Sequence, residues 1–129
     1  VSDFSNYTEG KIYDHVTGRV SWTMPATAYL ALFTGVTDAE AGTGTEVAGG
    51  SYARQAVAFG PATDGAGSNS AIETFGPLSG SGTATHGALF DAVAAGNALT
   101  VIKLLAVSKT WADGDSIQFA VGDIDFAVA

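Results

Sequence analysis

The chain has 129 residues, none of them cysteine, and 47% are hydrophobic. That is enough for one domain with a core that needs no disulfide, and it excludes thiolate metal sites. Thirteen acidic residues against five basic ones leave a net charge of −8, which repels phosphate backbones and anionic lipid and argues against nucleic-acid or membrane-surface partners. Only 14% of residues are charged, thin cover for a small monomer, so part of the surface is expected to be covered by other subunits.

In chain order, Phe4, Tyr7, Ile12 and Val16 stand at roughly helical spacing, with Asn6 and Glu9 as a capping pair and Gly18 as the stop. This is the single helix expected in the chain. The segment 19–25 contains Trp22 and ends at Pro25, which favours an extended arm. Residues 1–25 are therefore read as a helix and arm, and 26–129 as an antiparallel β domain. The start of the chain has no basic region followed by an apolar one, and no long uninterrupted apolar run follows, so neither a secretory signal nor a membrane span is expected.

Ala28 to Phe33 is apolar at both parities, the pattern of a strand buried on two faces. From Gly35 to Gly50 five glycines and no periodicity predict a long surface loop. Strands are then predicted over 52–59, 71–75, 83–91, 98–107, 116–121 and 124–128, separated by Gly-rich turns. Short strands at roughly ten-residue spacing predict a mainly β fold, an antiparallel sandwich or barrel.

His15 and His86 are the only imidazoles, and neither lies in a catalytic motif. His15 is expected to cap the helix or face solvent, and His86 to be a hydrogen-bonded strand residue. Asp113-Gly114-Asp115 and Asp123-Ile124-Asp125 lack the ligand spacing of a calcium loop and read as turns. The glycine clusters run into strands rather than opening helices, so they are not phosphate cradles. Arg54 rises from a largely apolar strand face beside Tyr52. It needs a partner in the fold or across an interface, with Glu46, Glu73 and Asp91 as the candidate carboxylates.

The segments SNYTEGKIYDHVTG, PATAYLALFT, GTEVAGGSYARQAVAFG, THGALFDA and SKTWADGDSIQFAVGD together resemble a family of small structural proteins of tailed bacteriophages. Its members are commonly labelled tail-fibre or virion structural proteins, and the resemblance is compatible with cement proteins that decorate the capsid. It implies no enzyme and no cofactor, and carries over Asn6, Tyr7, Asp14, His15 and the run Tyr52-Ala53-Arg54-Gln55. Val16-Thr17 stands where a bulkier apolar pair is typical, and Gly35-Val36 where a polar turn is common.

The expectation is a capsid cement protein on the head exterior, made in the host cytoplasm, a homo-oligomer with a trimer favoured, and bound to the major capsid protein. A tail-associated or fibre protein bound to other tail proteins is the alternative. A third reading is a small carbohydrate-binding module with Trp22, Trp111 and Tyr52 as a stacking platform. The interface candidates are Asn6, Tyr7, Trp22, Tyr52, Arg54, Gln55 and Trp111; no catalytic, cofactor or metal residue is nominated.

Overall fold

The computed structural model describes residues 2–128 as one helix and nine strands in three antiparallel sheets. Helix α1 spans Asn6–Val16. The strands are β1 Ala28–Asp38, β2 Thr43–Glu46, β3 Gln55–Val57, β4 Ala66–Ser68, β5 Glu73–Phe75, β6 Gly82–Phe90, β7 Lys103–Trp111, β8 Ile117–Phe119 and β9 Asp125–Ala127. The main sheet runs β2-β1-β6-β7 with β3 also pairing β1, while β4–β9 and β5–β8 form two small sheets stacked in a sandwich-like arrangement. Among the described residues no sheet closes into a barrel.

The core follows from β1. Leu30 and Leu32 point into a cluster with Phe75, Phe119, Ile117 and Leu78, which joins the main sheet to β5 and β8. Ala31 and Phe33 point the other way, into a second cluster with Ala88, Phe90, Ala98 and Ile102. Burial on both faces is what the unbroken apolar run predicts. Phe75 stands edge-on to Phe119 at 6.0 Å, a favoured aromatic geometry.

Four sequence expectations are corrected. The helix cap is Ser5, whose hydroxyl accepts the Thr8 amide hydrogen; Asn6 is already helical, because the buried Ser5 also donates to the Ala98 carbonyl and fixes the chain's entry. The helix does end at Gly18, where φ is +76° and the Gly18 and Arg19 amides bond back to His15 and Asp14, a Schellman stop. The region 35–50 is not one long loop: strands cover 35–38 and 43–46, and only 39–42 and 47–50 lie outside them. β1 continues to Asp38 and pairs with β2 through bulges, and a side chain on Gly44 would lie 2.5 Å from the Gly35 carbonyl, so close backbone approach rather than alternation defines this hairpin.

The strand expected at 98–107 is displaced to β7. Residues 98–102 instead meet the N-terminal segment, through a Phe4–Thr100 bridge and backbone bonds Ser5 to Leu99 and Val101 to Asp3. Trp111, nominated for an exposed stacking platform, instead ends β7 buried, its ring over Gly82 and its Nε1 donating to the Ser79 carbonyl.

Candidate functional site

A polar cluster centred on Glu46 is built by the stretch 46–54. Gly50 has φ +58°, and a side chain there would sit 2.6 Å from the Pro77 carbonyl. Only glycine lets this turn press against residues 77–79. The turn delivers Tyr52 and Arg54 to Glu46. The Tyr52 hydroxyl donates to Glu46 Oε2 at 2.7 Å and accepts the Leu32 amide at 3.0 Å, linking the loop to the buried centre of β1. Burial, with Glu46 beside it, pushes the Tyr52 phenol well above its ordinary value, so it remains a donor at physiological pH.

Arg54 uses its planar fork on the same carboxylate, Nε to Oε2 at 3.0 Å and Nη2 to Oε1 at 2.9 Å. Its Nη1 donates to the carbonyls of Ala92 and Ala95, and its guanidinium lies 4.0 Å from the Phe90 ring centroid. The arginine side chain is 8% exposed. Of the three candidate carboxylates, Glu46 is the partner. Asp91 instead holds Asn97, and Glu73 is buried in β5, where desolvation raises its carboxyl above the ordinary value.

The other nominated residues lie elsewhere. Asn6 opens α1 on the surface and its amide bonds to Glu40; Tyr7 is half-buried with the Lys11 amine 5.5 Å from its ring. Gln55 folds its amide back to the Ala53 carbonyl and pairs with Leu30 in the sheet. Trp22 is held by His15, whose Nδ1 accepts the Trp22 amide at 3.1 Å. His86 is half-buried against Thr85. With Trp111 buried, Tyr52 stacked on Phe75 and Trp22 against α1, the three aromatics form no shared platform for a sugar.

Asp113, Asp115 and Asp123 accept the amides of Gly80, Ala112 and Ala120, the side-chain-to-backbone bonding of turns. Among the described residues no group of three or more His, Asp or Glu gathers in a metal-binding arrangement. No helix among them is long and apolar enough to cross a membrane.

Two features escape sequence reading. An apolar cavity of about 350 Å³ lies between α1, the following arm and the sheet, lined among others by Phe4, Ile12, Trp22, Met24 and Leu99. Of its lining, Val16 and Met24 are more than half exposed, as are Tyr13 and Val20 on the same stretch of chain. Such clustering marks an interaction surface better than scattered apolar residues do. Asn69, with 1% exposure, is the second: its amide donates to Ala71 and Ala120 and its oxygen accepts from Gly122 and Ile124.

Fold and site together define a β-rich structural protein, with polar groups engaged in holding loops and apolar groups left for contact. The chain belongs to the family described as podophage GP4 fiber I protein gp80, whose model matches residues 3–127. It is a non-enzymatic, virion-associated structural protein of a bacteriophage. No curated protein matches it.

Proposed function

We propose that the chain is a tail-associated fibre component that docks on other tail proteins and on copies of itself. The observation that carries this reading is the family match over 3–127, whose description names a fiber. That description favours the tail over the capsid exterior and over the major capsid protein as partner. Within this reading residues 1–25 act as the attachment arm on a β domain over 26–129, and the assembly is a closed homo-oligomer, with a trimer as the expected size. Asn6, Tyr7 and Trp22 belong to the arm side. Tyr52, Arg54, Gln55 and Trp111 act through the loops they hold, because their polar groups bond within the chain.

Phage particles made without this chain test the reading. They are expected to have filled heads of normal resistance to heat and osmotic shock, with host adsorption reduced at least tenfold. Fragile heads with unimpaired adsorption would instead establish the cement role.

A further inference from the structure

The arm after α1 is tied down firmly at its start and lightly beyond it. Arg19 pairs with Asp14 through Nε at 2.8 Å, and the Arg19 and Val20 amides both bond to the Asp14 carbonyl. Past Val20 the polar contacts thin out. Among the described residues the segment 21–27 makes one hydrogen bond, from the Trp22 amide to Nδ1 of His15 at 3.1 Å. Trp22, Met24 and Pro25 then form the arm's share of the apolar cavity, whose helical wall includes Ile12 and Val16.

That single bond fixes the state of the ring. A backbone amide can only donate, so Nδ1 carries a lone pair and the imidazole is neutral, with its proton on Nε2. An imidazolium has N–H at both nitrogens and nothing to accept with. Protonation therefore sets two donors against each other and removes the bond. His15 is exposed, so protons reach it, and it stands in the last turn of α1, where the helix carbonyls favour a cation. The charge that releases Trp22 also draws the ring towards the helix end.

His15 is the only ionisable side chain among the residues lining the cavity. The lining from the arm and from the body of the fold, Trp22, Met24, Leu89, Leu99 and Thr100 among it, carries no charge. The charged side chains nearest to His15 in sequence are engaged elsewhere: Asp14 with Arg19, and the Lys11 amine over the Tyr7 ring.

We propose that His15 is a pH-sensitive latch for the arm: the neutral ring holds Trp22 over the cavity, and protonation frees residues 21–25 and opens the apolar lining beneath. The latch acts within one chain, so it holds whether or not the arm attaches to a tail.

Amide hydrogen exchange followed by NMR on the full chain tests it, with rates corrected for the intrinsic effect of pH. As the pH falls through the imidazole range, about 8 to 5, protection of the Trp22 amide is expected to drop about fivefold, the worth of one accessible hydrogen bond. The Met24 amide resonance is expected to shift with the same midpoint as the His15 ring. His15→Gln keeps a good helix former that does not titrate, and should abolish both changes while leaving the amides of the β domain as they are. Trp22 protection that is independent of pH, or that still varies in His15→Gln, would overturn the latch. A change at Trp22 with none at Met24 would do the same, since the arm would then have stayed in place.

Discussion

Arg54→Met is expected to lower the unfolding free energy by about 3 kcal/mol, the low end for removing one partner of a buried ion pair, since Glu46 keeps 27% side-chain exposure. Methionine retains an apolar stem over Phe90, so the loss falls on the polar contacts. Glu46 keeps only the Tyr52 hydroxyl among its described partners, and the carbonyls of Ala92 and Ala95 lose their shared donor. The loop 91–96 should therefore exchange its amide hydrogens faster than the rest of the sheet. Adding Glu46→Gln removes the stranded charge, so the double variant is expected to be at least 1 kcal/mol more stable than the sum of the two single changes predicts. Denaturant midpoints measure each term. An Arg54→Met midpoint indistinguishable from the parent would show that the pair is incidental.

Asn69→Leu is expected to cost about 3–4 kcal/mol, although leucine has the same branched arrangement of side-chain heavy atoms. The four groups that Asn69 satisfies are the Gly122 and Ile124 amides and the Ala71 and Ala120 carbonyls. The Gly122 amide keeps the Asn69 backbone carbonyl and the Ala120 carbonyl keeps the Asp123 amide, so an apolar replacement strands the Ile124 amide and the Ala71 carbonyl, each costing about 1–3 kcal/mol where water cannot reach. These bonds tie the connection between β4 and β5 to the turn between β8 and β9, so local opening should appear first at residues 120–124. Asn69→Asp would keep the acceptor but turn a carboxylate towards two carbonyls, and at neutral pH it should be no better tolerated than leucine. Urea unfolding of both variants decides the matter, and a loss below 1 kcal/mol for leucine would mean that the turn relaxes into water.

Much of the fold is legible where a local pattern has one physical meaning. The unbroken apolar run at Leu30–Phe33 can be satisfied only by burial on both sides, and the two core clusters supply it. Helix α1 announces itself by spacing and by Gly18. The β1–β2 hairpin does not, because Thr43-Gly44-Thr45 is exposed and its defining feature is the contact of Gly44 with the opposite backbone. The run Ala98–Val107 shows that it is buried or edge-lying but not by what, and the N-terminal segment, nearly a hundred residues away in sequence, claims its first half.

The site is legible to a similar degree. Arg54 stands out among five basic residues, and its need for a carboxylate is general chemistry; selecting Glu46 over Glu73 and Asp91 requires the Gly49-Gly50 turn in three dimensions. Asn69 is hidden within a turn-like sequence, where asparagine is common for local reasons, so its long-range bonds leave no trace. The cavity under α1 arises from the spacing between helix and sheet, which no residue pattern encodes.

The most direct measurement is to separate heads from tails of the parent phage and quantify this chain in each fraction by mass spectrometry. A tail-associated fibre protein is expected in the tail fraction, at a copy number that is a small multiple of the tail's rotational symmetry. Recovery with the heads, in rough proportion to the major shell protein, would contradict that placement.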